Sequence, residues 1–534
     1  MGGTVMSNEL EFLGNRAARG RLNRRDFLGR AAALGISATF ANSLLASAAH
    51  AAGPQRGGTL KAGLVGGEST ETLDPATTNN QVMGAFARCW GEKLVDVSDK
   101  GEIVLRLAEE VGSSPDAKVW TFKIRKGVSF HNGKEMTAED VHATIERHAG
   151  PESKSGALGI LGGIDTLKVD GDNFVVTLKE ANADLAYLMA DYHLVIQPNG
   201  GKDDPKAGIG TGPYKVASHQ PGVRATGQRF GDYWDAEHFG FADQVDITTI
   251  NDSTARTAAL QSGQVHMINR VEPKVVSLLK RVPGVSIQNI GGSAHYVFAM
   301  QCITPPFDNN DLRLALKYAI DRKEMVDKIL RGYGSVGNDF PINAAYPLFS
   351  DDIPQRTYDP DKAKFHFKKS GHEGPIVLRT SDVAFPGAVD AAALYQQSCA
   401  KAGITLSVKR EPGDGYWSEV WNKKPFAASY WIGRPTQDQQ YSTVYLSTAD
   451  WNETRFRDPS FDKMVVAARA ELDPAKRKAI YRDMALIIRD QGGAVIPMFN
   501  DWIDAISDKV KGYKPMPAGE LMSGLALVSC WLDA

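Results

Sequence analysis

A short motif recurs along this chain and narrows what it folds into: a capped helix, a glycine stop, then an alternating strand. After Asp252, residues 253–261 read as helix, Gly263 as the stop and Val265–Ile268 as a strand. After Asp390 a helix runs to Gly403, and Ile404, Leu406 and Val408 then alternate. Thr137-Ala138-Glu139-Asp140 opens another helix, with a capping threonine and acids in the first turn. Asp321-Arg322-Lys323-Glu324 repeats that logic and stops before Gly332. Asp359-Pro360 and Asp473-Pro474 each set a capping Asp before a proline at the first helical position. The second of these helices carries Ile480, Met484, Ile487 and Ile488 at helical spacing and ends near Gly492. Between about 101 and 180 the texture is richer in strands, with Val119–Ile124 alternating and Phe174–Leu178 a β-branched run. The expected class is α/β.

With 534 residues, the chain is too long for one core, so two or more domains are expected. A net charge of -2 provides no basic field for nucleic acid. The first 51 residues differ: Arg16, Arg19, Arg21, Arg24, Arg25 and Arg30 face only Glu9, Glu11 and Asp26. An Ala-rich, moderately apolar run follows and ends Ala49-His50-Ala51, the layout of a signal peptide. Cleavage is expected after Ala51, with Ala46-Ser47-Ala48 as a second candidate, which makes the mature protein periplasmic. Asn23-Arg24-Arg25-Asp26-Phe27-Leu28 resembles the twin-arginine export motif, and the weak hydrophobicity of the run behind it fits. The run is too short and polar to span a bilayer, and no cysteine follows it to take a lipid. Cys89, Cys302, Cys399 and Cys530 match neither a metal site nor a C-x-x-C motif, and buried free thiols are expected.

Several segments together resemble bacterial extracellular solute-binding protein family 5, the dipeptide, oligopeptide and nickel binders of ABC importers. They are Leu73-Asp74-Pro75-Ala76, Trp90-Gly91-Glu92-Lys93-Leu94-Val95, the long stretch 105–147, Gly210–Val216, Asp232-Tyr233-Trp234, Ala255–Gly263, Pro306-Phe307-Asp308 leading to 313–321, and Tyr358–Ala363. They cover essentially the whole mature chain. The resemblance implies a two-lobed periplasmic-binding-protein clamp, type II-like, of the large cluster with an inserted subdomain. Residues 54–70, 208–292 and 505–534 would form the core of lobe one, 71–207 its insertion, and 293–504 lobe two. It also implies an inner-membrane ABC permease as partner, a monomer, no cofactor and no catalytic residues. Most of the motifs read as scaffold: glycines at 127, 133, 210 and 212 suit turns and a crossing between subdomains.

Peptide binders of that family carry an acidic residue after an aromatic-glycine stretch of lobe two, where it pairs with the peptide's amino terminus. Here the stretch reads Tyr430-Trp431-Ile432-Gly433-Arg434-Pro435-Thr436-Gln437-Asp438. Arg434 stands near the acid's place, and its planar fork suits a carboxylate or phosphate. Asp438 is the alternative contact for an amine. Trp417 and Trp431 are expected to stack on a planar or apolar part of the ligand. The opposite wall is expected from Glu68 and Thr70, in the loop after the first mature strand, because open α/β sheets bind ligands at the carboxyl ends of strands. Tyr296, near the hinge, is a further candidate. Two other readings stay open. A metal-chelate binder is one, although His131, His142 and His148 lack the spacing of helical metal ligands. An exported enzyme is the other, with Ser293 near His295 as its only tempting pair.

Overall fold

The computed structural model describes residues 53–533 apart from 79, 382–383 and 413–415, together with residues 26, 27, 29 and 30; the side chains at 417 and 418 are also outside it. Apart from those four positions, the expected leader and its cleavage site lie outside the described residues.

One sheet of eleven strands runs through the molecule. In chain order its strands are β1 (Thr59–Leu64), β2 (Tyr214–Gln220), β3 (Arg224–Arg229), β4 (Gln244–Thr249), β5 (Met267–Ile268), β6 (Val285–Met300), β7 (Gly334–Val336), β8 (Ile376–Thr380), β9 (Leu406–Arg410), β10 (Phe426–Trp431) and β11 (Ala494–Ser507). Their spatial order is β9-β8-β10-β6-β11-β5-β1-β4-β3-β2, with β7 beside β11. β4, β1 and β5 are parallel, as are β9, β8 and β10, so each half of the sheet has its own α/β core. Sixteen-residue β6 and fourteen-residue β11 pair antiparallel across the join. Their register breaks between Gly291 and His295, so the strands bend there rather than run flat.

Helix punctuation follows the local chemistry. Thr137 and Asp140 form a capping box ahead of α1 (Ala138–Ala149), and the Asp252 carboxylate caps α2 (Ser253–Gln261). Later come α3 (Gln437–Val444), α4 (Pro459–Ala470) and α5 (Pro474–Gln491); Asp473 accepts from two amides at the start of α5. The strand expected over 265–268 is shorter: Val265 donates back to Ala259 of α2, so only Met267 and Ile268 join the sheet. Three cysteines are buried and free; Cys302 is free but only partly buried, a correction to the expected burial of all four.

A second, antiparallel sheet of Ala108–Ser113, Val119–Ile124, Asn173–Leu178 and Ile164–Asp170 packs with α1 around a separate core. The scattered motifs meet where this subdomain joins the large sheet. The buried Glu92 carboxylate accepts from Arg106 (2.7 Å), Tyr233 (2.9 Å), Trp234 (2.8 Å) and Thr211 (3.0 Å). Gly210 and Gly212 press on the backbone of Cys89–Gly91, where a Cβ would sit 2.4–2.6 Å from the nearest atom. His131 bonds the carbonyl of Gly212. These residues brace the join between the subdomains.

Candidate functional site

The carboxyl ends of β1, β4 and β5 share one edge, and the loops leaving them are tied together there. The Asn269 side chain accepts from Val65, and the Asn251 side chain accepts from Gly66. Glu71 accepts from Glu68 and Gly222, which pins the loop after β1. Glu68 and Thr70 stand exposed on that loop, with Thr70 Oγ1 3.5 Å from the Glu68 carboxylate. Arg256 on α2 is buried, and its guanidinium donates to the carbonyls of Ile250, Asn269 and Arg270. Arg270 adopts φ +49° and donates from Nε to Glu520.

The other wall comes from β6 and β10. Tyr296 and Tyr430 lie directly opposite in register and so share a face. Tyr296 stacks on Phe385, rings 4.2 Å apart and 6° from parallel. Burial pushes its phenol up to about 12, and the facing charge of Arg270 opposes that push. Arg270, just past β5, therefore lies close enough to Tyr296 and Tyr430 for their charges to interact.

Past β10 the chain turns at Gly433, φ +91°, so close to Ser293 that a Cβ would sit 2.3 Å from its hydroxyl. Glycine is required there, and the turn delivers Arg434. The Arg434 amide donates to the Tyr346 hydroxyl at 3.0 Å, while its half-buried guanidinium has no carboxylate in ion-pairing distance among the described residues. Tyr192, in the second-sheet subdomain, faces it. Burial, with the Asp191 charge, lifts that phenol to about 12, and Arg434 pulls it back down.

Arg434 thus follows the β10 end next to Tyr346, while Tyr296 packs on the other core beside Phe385. Trp431 is buried, with its indole N–H committed to Glu453 at 2.8 Å and its ring tilted against Trp451. Asp438 is buried on α3, where Arg469 holds it at 3.1 Å and Ser442 donates to it; burial raises its carboxyl, and Arg469 offsets that. The Trp417 side chain lies outside the described residues. Sequence reasoning missed Asn269, Arg270 and Glu520. The first two directly follow a strand, the same signal that singled out Glu68 and Thr70. Among the described residues no three His, Cys, Asp or Glu side chains converge as metal ligands.

Comparisons with known proteins agree with this architecture. The dipeptide-binding protein of Escherichia coli (strain K12) is 25% identical over 461 residues, 78% of this chain and 85% of that protein. The structure of HbpA2 from Haemophilus parasuis superposes with a TM-score of 0.78 at 19% identity, covering 89% of this chain and 100% of the other. AgaA of A. tumefaciens R10, solved in complex with agropinic acid, matches with a TM-score of 0.74 at 25% identity, covering 89% and 99%. The fold is that of a two-lobed periplasmic binding protein. The sequence profile described as bacterial extracellular solute-binding proteins, family 5 Middle, matches residues 102–453, and the chain belongs to that family, whose members are the binding components of ABC importers.

Proposed function

We propose that the protein captures a solute with an exposed anionic group between its lobes, and that Arg434 reads that group. The observation that carries the proposal is a half-buried guanidinium past the end of β10, delivered by a required glycine and unpaired with any carboxylate among the described residues. A charge held this way is poised for a carboxylate or phosphate. Asp438 is the weaker contact, since Arg469 already engages it.

The register break at Gly291–His295, opposite Phe499–Asp501, supports a hinge between residues 54–70, 208–292 and 505–534 on one side and 293–504 on the other, with 71–207 inserted. On this reading the leader is removed after Ala51, the mature protein works in the periplasm as a monomer, and closure presents the loaded form to the permease. The chain performs no chemistry on its cargo. Ser293 and His295 support that assignment: the His295 ring contacts the Ser293 carbonyl at 3.4 Å, not its hydroxyl, and burial drops the imidazole to about 4.

The test is a thermal-shift screen of the mature protein, unfolded and refolded to strip co-purified ligand. The panel holds dipeptides, oligopeptides, acidic sugar–amino acid conjugates, neutral oligosaccharides and nickel chelates. Ligand at 100 times its Kd adds about 2.7 kcal/mol of stability, a visible rise in Tm. Anionic compounds are expected to stabilise the native protein and not Arg434→Ala. Equal stabilisation of both proteins by neutral compounds or ordinary dipeptides would remove Arg434 from the site.

A further inference from the structure

We infer that Arg270 is a second anion-binding residue, on the lobe opposite Arg434, and that the cargo carries two anionic groups. The inference rests on the proposed reading of Arg434 and extends it to the other wall.

The case starts from the effort spent on one side chain. Arg270 sits in the left-handed region at φ +49°, a conformation that a β-carbon disfavours. Buried Arg256 fixes the backbone on both sides of it, through the carbonyls of Asn269 (3.1 Å) and Arg270 (3.2 Å). Its Nε donates to Glu520, whose other oxygen accepts from Asn269 at 2.8 Å. Glu520 is itself carried by a turn in which Leu521, Met522 and Ser523 all have positive φ: 51°, 58° and 57°. Four strained non-glycine residues therefore converge on one guanidinium.

An ion pair for stability accounts for only part of that arrangement. Glu520 is buried, its side chain 2% exposed, and Arg270 supplies the cation it needs, yet the Arg270 side chain stays 45% exposed. Strain of this kind persists where it places a group for use.

The geometry also leaves the group ready. Only Nε is engaged with Glu520, and neither terminal nitrogen has an acceptor among the described residues. Those two nitrogens form the fork that takes a carboxylate or phosphate bidentately. Arg270 lies close enough to Tyr296 and Tyr430 for their charges to interact, and Tyr430 precedes Arg434 on the same segment. Arg434 follows Tyr430 by four residues, a span of at most about 14 Å. On the proposed division into lobes the two guanidiniums then stand on opposite walls, so that a small solute with an acid at each end would engage both. Glu520 holds Arg270 in aim, which makes it a positioning residue.

The experiment uses matched probes that differ by one carboxylate: N-acetyl-Glu against N-acetyl-Gln, and N-acetyl-Ala-Glu against N-acetyl-Ala-Gln. Affinities are measured by calorimetry on the refolded mature protein, on Arg434→Ala, and on Arg270→Asn, which removes the charge while asparagine tolerates the left-handed backbone. Glu520→Gln and Arg270→Lys complete the set. The diacid is expected to bind roughly tenfold or more tighter than its partner at one or both lengths. Arg270→Asn should abolish that preference, Arg270→Lys should keep part of it, and Glu520→Gln should reduce it. Equal binding of each pair, weakened by Arg434→Ala and untouched by Arg270→Asn, overturns the role of Arg270 and leaves that of Arg434 standing. A preference for the diacid that survives Arg270→Asn also overturns it. No binding by any probe overturns both.

Discussion

Asp504 lies on β11 one residue beyond the pair Ile268↔Ala505, and so beside the strained end of β5. Its carboxyl accepts from the Tyr513 hydroxyl at 2.6 Å and the Leu521 amide at 2.7 Å. Burial, and then the charge of Glu520, push it up to about 7 from an ordinary value of 3.8. The groups facing it are Glu520, Tyr513 and the backbone of Arg270. Between pH 4 and 7 the folded protein holds a proton that the unfolded chain has released. Each unit of rising pH across that window therefore lowers stability, and the loss is complete above about 7. Below about 4 both states are protonated and the effect vanishes. Asp504→Asn, which has no charge to bury, is expected to be flatter than the native protein between pH 4 and 7. Urea midpoints at four pH values measure this, and parallel slopes in the two proteins would show Asp504 ionised throughout. At this scale legibility depended on local grammar. Arg434 stood out because it breaks a motif, and Arg270 carried the end-of-strand signal without being singled out. Glu520 offered no signal at all, because a left-handed turn built from Leu, Met and Ser contradicts the preferences of those residues.

Helix α5 separates what a sequence states from what it hides. Its start is written in Asp473-Pro474 and its end in Gly492, because caps and stops act over a few residues. The partner of its last carbonyls is not local. Lys317, fully buried on the helix Asn310–Tyr318, sends its ammonium to the carbonyls of Ile488 (3.3 Å), Arg489 (2.8 Å) and Gly492 (2.8 Å). Arg313, one turn earlier, takes the carbonyl of Gln491. The positive charge sits where the helix dipole is negative, across 171 residues of chain for the first contact. Lys317→Met keeps the length of the side chain but leaves buried carbonyls unpaired, and is expected to cost about 2 kcal/mol or more. A drop in the urea midpoint with an unchanged slope would register it, whereas a loss below about 0.5 kcal/mol would mean that water replaces the ammonium. The order of the sheet was hidden for the same reason: β6 joins β10 and β11 by pairings that no local pattern encodes.

The two halves of the sheet are linked through β6 and β11, yet the second-sheet subdomain also touches the far half away from that join. Asp184 there meets Arg477 of α5 at 2.6 Å, with both side chains buried, and Arg477 also donates to Tyr481 at 3.0 Å. Beside it the amide of Ala183 donates to the carbonyl of Arg469, the residue that holds Asp438. If the proposed hinge lies at β6 and β11, opening has to break this contact, which would then weight the balance between open and closed forms. Because a ligand gains only from the state it fits, removing a contact of the closed state lowers the apparent affinity by the change in that population. The pair is tested as a pair, Asp184→Asn with Arg477→Met, so that no lone charge stays buried. Ligand-free double variant is expected to show a larger radius of gyration by X-ray scattering than ligand-free native protein, and to bind roughly five- to tenfold more weakly, the effect of about 1 kcal/mol. With saturating ligand the two radii should coincide. Lys202→Met, which breaks the exposed pair with Glu146 inside one subdomain, should change neither quantity. A double variant with native radius and native affinity would mean that the contact forms only after closure is complete, and that the hinge strands alone set the balance.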